Sequence, residues 1–350
     1  MFSMLEKIYY GKPSFAMPLS RRRFAASLPA LALAGACRPP GENTGALRLG
    51  YFPNITHGTA LVGVERGLFR EALAGQGTAL ETFTFNAGPA AIEALLSGAL
   101  DATYVGPNPA VNAYVKSKGE VKVIAGAATG GAFFVVRPEI GGPGDLRGKK
   151  VSTPQLGGTQ DVALRTWLIG QGYKVDEFGG GDVSVTPQEN AQTLESFQSG
   201  EIAGAWVPEP WATRLILEGG GKVLVDERDL WPDRRYTTTV LLARKGQIEA
   251  RRPTILALLR GHAAANDWIA AHASEAKEVA NAAIKKVTGK ALAPATIDRA
   301  WQNLEFTSDP VPSALIRSAE DAQKLGFVKL GGADLQQLFA PELIAEAEKS

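Results

Sequence analysis

The chain is poor in the residues that most catalytic and metal chemistry needs. It has one cysteine, Cys37, and three histidines in 350 residues. A single cysteine excludes an internal disulfide and any cysteine-rich metal site. His57, His262 and His272 are far apart and no His-Glu-x-x-His occurs, so no zinc site is expected. His262 and His272 fall on predicted helices and read as ordinary surface or half-buried residues. Nucleotide signatures are missing too. In GGPGDLRGKK, residues 141–150, a Walker loop would need glycine where Pro143 stands and Ser or Thr where Lys150 stands. Arg147 occupies the third glycine position of a dinucleotide fingerprint. Excess charge is lacking as well: 37 basic against 36 acidic side chains leave a formal +1, which does not suit a nucleic-acid binder. With 45% hydrophobic residues over this length, a folded body with a full core, in two domains, is expected instead.

The first 46 residues differ from the rest. Ser20-Arg21-Arg22-Arg23-Phe24 precedes an apolar run over 25–36, the layout of an export signal, and the arginine pair with its phenylalanine resembles a twin-arginine signal. Twelve residues are too few to span a bilayer, which takes about 20. Met17 would give a leader of normal length. The run ends Leu33-Ala34-Gly35-Ala36-Cys37, similar to a bacterial lipobox, with Ala34 in place of the usual leucine. Residues 1–36 are therefore expected to be an export signal, Cys37 a lipidation site, and the Pro- and Gly-rich stretch 37–46 a tether. Removing the leader leaves a net charge of about −3.

From Leu47 short apolar runs alternate with helical patterns, as in an α/β fold with largely parallel sheets. LRLGYF (47–52), ETFTF (81–85) and ATYVG (102–106) read as strands; residues 59–69 and 90–98 read as helices. The sequence of events then recurs. Residues 91–110 lie over 193–212 with Glu93 on Glu195, Ser97-Gly98 on Ser199-Gly200, and Pro107-Asn108-Pro109 on Pro208-Glu209-Pro210. YFPNITHGT (51–59) matches STPQLGGT (152–159) in the same order, so two lobes of similar construction are expected. The β-rich runs 133–137 and 237–242 fit as crossover strands, dividing the chain into 47–133 with 241–350 and 134–240. Helical patterns over 255–271, 274–287, 294–304 and 312–325 would complete the first lobe.

In such sheets ligands collect beyond the carboxyl ends of the strands. Those ends carry Asn54, Thr56, His57 and Thr59; Gly106, Pro107 and Asn108; Gly130 and Gly131 after Thr129; then Gln155, Gly157, Gly158, Thr159 and Gln160, and finally Glu209 and Trp211 after Pro208. The set is rich in hydroxyls, amides and glycines, and only His57 and Glu209 titrate. Reversible binding suits it better than bond breaking. Gly157-Gly158 reads either as a simple turn or as the approach to an anion at a helix start, and Thr159 as its cap or as a ligand contact. Asn108 and Glu209 either shape turns or meet the ligand. Trp206 belongs to a strand and reads as core, while Trp211 follows the strand and could stack on a solute.

GYFPNITHGTALVG, FNAGPAAIEALLSGALDATYVGPNPA, STPQLGGTQDVALR and GAWVPEPWATRL together resemble the solute-binding proteins of ABC importers for nitrate, taurine and aliphatic sulfonates. The resemblance covers most of 47–325. It implies a two-lobed, type II periplasmic-binding fold with two hinge strands, closing on a small solute and delivering it to a permease and an ATPase. It implies a cofactor-free, exported monomer, in the periplasm or lipid-anchored at the outer face of the cytoplasmic membrane. The candidate residues above would line its cleft. None of those loops holds Lys or Arg, and Glu209 would repel a bare anion, which favours a taurine-like zwitterion over nitrate. Relatives that make the thiamine pyrimidine are enzymes with a cysteine-rich motif, which this chain lacks. A pyrimidine-precursor synthase or small-carboxylate enzyme on the same fold and a sensor without transport stay open beside the importer.

Overall fold

The computed structural model describes residues 45–176 and 178–349. The expectations for the export signal, for Cys37 and for most of the tether lie outside the described residues. Among the described residues no helix is long and apolar enough to cross a membrane.

The first pass of the chain runs β1 (Ala46–Tyr51), α1 (Gly58–Glu65), α2 (Leu68–Ala74), β2 (Ala79–Thr84), α3 (Gly88–Leu96), β3 (Ala102–Val105), α4 (Pro107–Lys116) and β4 (Val121–Gly130). One helix over 59–69 was expected. Two form, because Gly67 takes a left-handed φ of 78° and ends the first. The second pass runs β5 (Ala132–Val136), β6 (Lys150–Ser152), α5 (Thr159–Gly170), β7 (Ser184–Val185), α6 (Asn190–Gln198), β8 (Gly204–Pro208), α7 (Trp211–Leu217) and β9 (Lys222–Asp226). The return comprises β10 (Thr237–Arg244), α8 (Lys245–Ala250), α9 (Arg252–Ala271), α10 (Ala273–Thr288), α11 (Pro294–Trp301), β11 (Leu304–Phe306), α12 (Pro312–Lys324) and α13 (Pro341–Ala347). The predicted helix over 294–304 thus stops at Trp301, and Leu304 starts a strand instead.

Two sheets result, ordered β11-β4-β10-β3-β1-β2 and β7-β6-β8-β5-β9. Each is mixed. β1 runs parallel to β2 and β3, and β6 parallel to β7 and β8. The strands that carry the chain out of and back into the first sheet, β4 and β10, run antiparallel to their neighbours, as do β11 and the β5 pairs with β8 and β9. The expectation of mostly parallel sheets therefore holds for the repeated βα units and gives way at the crossings. β5 begins at Ala132, already in the second sheet, and β10 is in the first sheet from Thr237, so the expected divisions at 133/134 and 240/241 fall inside strands.

The repeat is visible in the structure. α3, from Gly88, answers to α6, from Asn190, and β3, from Ala102, to β8, from Gly204. The serines that close the two helices, Ser97 and Ser199, each donate a hydroxyl hydrogen bond back to the last turn, at 3.2 and 3.1 Å. Gly98 and Gly200 follow in left-handed conformations, φ 83° and 81°.

The cores explain why the helices pack as they do. β1 apart from Arg48, β3 and the middle of β4 are buried, because α1, α9 and α10 cover one face and α3, α4 and α12 the other. His262 is a correction. It is fully buried on α9, its Nδ1 2.8 Å from the Tyr104 hydroxyl, and burial pushes its pKa down to about 3. In the second lobe Phe134, Trp167 and Trp206 form an aromatic cluster with centroids 5.5–6.2 Å apart. Trp206 is core, as its strand position predicts, and its indole N–H donates to Glu227 at 2.7 Å.

Candidate functional site

A small cleft opens between the carboxyl ends of the two sheets. Its walls are built from matching parts. The loop after β1 brings Asn54, Thr56 and His57, and the loop after β6 brings Gln155, Gly158, Thr159 and Gln160. Gly88 at the start of α3 and Asn190 at the start of α6 face it from equivalent places in the repeat, and Gly106 at the start of α4 completes the set.

Five helices therefore begin at this cleft: α1, α3, α4, α5 and α6. At none of their N-caps does the side chain cap the helix. Each N-terminus carries roughly half a positive charge, but the free N–H groups are fewer than five full turns would supply. α1 continues from a 3-10 turn over Ile55–His57 whose Ile55 carbonyl accepts the Gly58 N–H, and Pro89, Pro107 and Pro109 have no N–H to offer at the starts of α3 and α4. The cleft itself is lined by no Lys, Arg, Asp or Glu. Its potential is set by backbone dipoles, with amide and hydroxyl side chains around them.

The first wall is held by a neutral imidazole. The His57 ring stacks on Phe52, centroids 4.4 Å apart, and its Nδ1 accepts the Phe52 N–H at 3.3 Å. That bond puts the ring proton on Nε2. Burial pushes the pKa of His57 down to about 3, so the ring stays an uncharged donor. The second wall hides a charge pair. Asp161, in the first turn of α5, accepts from Thr153 Oγ1 at 2.8 Å, the Gly157 N–H at 2.9 Å and Arg165 Nε at 2.9 Å, with both partners of the ion pair buried. Gly157 is left-handed at φ 66°, which turns its N–H onto that carboxylate. The Gly158 N–H is spent on the Gln155 carbonyl at 3.1 Å. The N–H groups of Thr159 and Gln160 remain at the helix start.

Eight predicted contacts thus line the cleft: Asn54, Thr56, His57, Gly106, Gln155, Gly158, Thr159 and Gln160. Eight do not. Thr59 is turned into the core, donating to the Ala127 carbonyl and lying 2.7 Å from Asn266 Oδ1. Asn108 is bonded to Ser318 of α12, and Pro107 is buried beside it at the start of α4. Gly130 and Gly131, both left-handed, form the crossing between the sheets. Gly157 points at Asp161. Glu209 is buried, accepting from the Thr213 N–H at 3.0 Å, the Thr213 hydroxyl at 2.9 Å and Asn303 Nδ2 at 2.7 Å. Desolvation raises its pKa. The Trp211 indole N–H donates to Asn54 Oδ1 at 3.1 Å. Glu209 and Trp211 therefore join the second lobe to the first, each through an asparagine across the gap.

Gly106 shows how closely the lobes meet. A Cβ there would lie 2.5 Å from Thr159 Oγ1, so any larger residue would have to displace that hydroxyl. The sequence reading missed Asn86, Asn190, Thr238 and Thr239, which also line the cleft. Asn86 follows the carboxyl end of β2, and the strand-end rule applied to that strand would have found it.

Two mixed sheets joined by crossing strands, with helix starts converging between them, define a periplasmic-binding-protein-like fold. The chain belongs to the NMT1-like family, whose model matches residues 40–284. It is 27% identical over 212 residues to a putative binding protein of Brucella abortus, covering 59% of this chain and 61% of that one. It is 28% identical over 199 residues to the taurine-binding periplasmic protein of Escherichia coli, covering 51% and 58%. The matched region thus spans about three fifths of these curated relatives. The nitrate-binding protein NrtA of Synechocystis shares the fold with a TM-score of 0.73 at 17% identity, covering 87% of this chain and 88% of that chain.

Proposed function

We propose that this chain is the extracytoplasmic solute-binding component of an ABC importer, and that it takes a small organic solute with an anionic, oxygen-rich head, of the aliphatic sulfonate class. The observation that carries this reading is the convergence of five helix N-termini, uncapped by their own side chains, on a cleft with no charged side chain. A tetrahedral head with three oxygens matches donors arriving from several directions, and the dipoles favour its charge without a cation. A base-and-nucleophile pair is not what the cleft offers: its single titratable group, His57, is neutral and already engaged at Nδ1.

The preference for a zwitterion does not follow from this site. It rested on the absence of Lys and Arg from the cleft loops, which helix dipoles offset, and on Glu209, whose oxygens are taken by Thr213 and Asn303 outside the cleft. A sulfonate without an amino end fits at least as well as taurine. Closure would bring the wall of Asn54 and His57 against the wall of Thr159 and Gln160, with Asn54–Trp211 and Asn303–Glu209 as its latches and the segments around Gly130 and Thr237 as the hinge. Delivery to a permease and an ATPase, export to the periplasm as a monomer, and anchoring through a lipid on Cys37 belong to the same proposal. A thermal-shift panel of alkanesulfonates, taurine, sulfate esters, nitrate, amino acids and pyrimidines tests it. A ligand at a thousand times its Kd adds about 4 kcal/mol of stability, an easily read shift. Stabilisation confined to sulfonates supports the assignment; stabilisation by pyrimidines or amino acids alone would displace it.

A further inference from the structure

A second cavity, open to solvent, lies beside the cleft and shares Thr159 with it. It follows one face of α5, through Val162, Ala163, Thr166 and Trp167, to the exposed end of the helix at Gly170 and Gln171. α12 and the connection after β9 close it from the other side with Arg317, Leu230 and Trp231. One end of α5 thus starts the head-binding cleft while its flank borders this cavity, and a single threonine stands between them.

The two spaces differ in chemistry. The cleft offers amides, hydroxyls and N–H groups, with Phe52 its one large apolar side chain. The second cavity offers two indoles, a leucine and a valine beside three charged side chains that are engaged elsewhere: Glu227 accepts from the Trp206 indole, Asp321 from Lys324, and Arg317 donates to the Leu230 carbonyl. Trp231 is fixed there by stacking on Tyr236, centroids 5.7 Å apart, and by the Arg317 guanidinium 4.8 Å from its ring centre. Thr166 Oγ1 is buried at its wall with no hydrogen-bond partner among the described residues. Because α5 and α12 come from different lobes, the cavity is bounded by the same approach that brings Thr159 to Gly106.

We infer that this cavity is the subsite for the apolar body of the solute, an alkyl chain or an aryl group that passes Thr159 while the anionic head stays at the helix starts. The inference rests on the headgroup reading above. It makes the preferred solute a longer-chain or aromatic sulfonate rather than a two-carbon one.

Titration calorimetry with methane-, butane- and octanesulfonate on wild type and Ala163→Phe tests it. The substituted ring would narrow the cavity along α5, one turn beyond Thr159. Wild-type affinity is expected to rise roughly two- to fourfold per methylene, as for apolar surface leaving water. Ala163→Phe is expected to bind methanesulfonate like wild type and to lose the gain with length. If Ala163→Phe does not fold, indole emission of the wild type decides: octanesulfonate should shift it beyond the methanesulfonate response, and Trp167→Phe should reduce that excess. Methanesulfonate binding with no dependence on chain length would overturn the subsite and leave the headgroup reading intact. Failure of all three sulfonates to bind would remove that reading and the subsite with it.

Discussion

Under the turn that starts α1 lies an imidazole, whereas under the turn that starts α5 lies a carboxylate. Both turns follow the first parallel strand of a lobe, and both aim a helix N-terminus at the cleft. The first is held by a neutral ring packed on Phe52, the second by Asp161, which ties Thr153 and Gly157 to Arg165. The same backbone plan is stabilised once by aromatic packing and once by a buried ion pair. What the two solutions share is that neither leaves net charge on the cleft wall, because His57 is neutral and Asp161 is matched by Arg165. That shared outcome is what leaves the field of the cleft to helix dipoles.

The comparison extends to the buried titrating groups, and pH is expected to produce the largest effect. His57 and His262, in the first lobe, have pKa values depressed to about 3 against an ordinary 6.5. Their contribution is present above pH 6.5 and is lost as pH falls toward 3, since the unfolded chain takes up protons that the folded one refuses. Glu227, packed against Trp206 of the second lobe, has its pKa raised by burial from 4.5 to about 7. Its contribution is present below pH 4.5 and is lost as pH rises through 7. Urea denaturation across pH 4–8.5 should show stability falling on both sides of a maximum. His262→Gln should flatten the acid side and Glu227→Gln the alkaline side; an unchanged profile in either variant would show that the group titrates normally in the fold.

Next in size is the ion pair. Asp161→Ala leaves the Arg165 guanidinium buried without its partner and should cost about 3–5 kcal/mol. His57→Phe removes only the acceptor of one backbone N–H, and should cost about 1–3 kcal/mol. Equal losses in chemical denaturation would erase the distinction between the two turns. Of the same order as the His57 loss is the effect at the contact between lobes. Gly106→Ala places a methyl against Thr159 Oγ1, and overpacking of this kind costs about 1–3 kcal/mol. If that contact forms only on closure, solute affinity should fall roughly ten- to a hundredfold while stability without solute stays near wild type, and Thr159→Ala should restore much of the loss. The smallest effect is expected at Trp211→Phe, which deletes one hydrogen bond to Asn54 and about 1 kcal/mol of closure.

The repeated βα units were legible because alternation, glycine stops and the Ser-Gly pairs are local signals, and they recur at nearly one offset. The cleft loops followed from the strand-end rule, which locates backbone. Side-chain direction did not follow. Thr59, Asn108 and Glu209 stand at strand ends as expected, yet they turn to Asn266, Ser318 and Asn303, partners 207, 210 and 94 residues further along. Those partners come from the return of the chain, whose helices read as generic amphipathic cover. A polar side chain beside a cleft satisfies whichever neighbour the fold brings nearest, and that neighbour is invisible in local sequence. The antiparallel crossings were missed for a related reason: a buried strand has the same apolar pattern in either direction.

The central claim is that an uncharged cleft holds an anion through helix starts. The most direct measurement is titration calorimetry of butanesulfonate against butanesulfonamide, which has the same shape and no charge at neutral pH. The account predicts that the sulfonate binds and that the sulfonamide binds at least a hundredfold more weakly, by about 3 kcal/mol. Equal affinity for the two, or preference for the neutral compound, would contradict it.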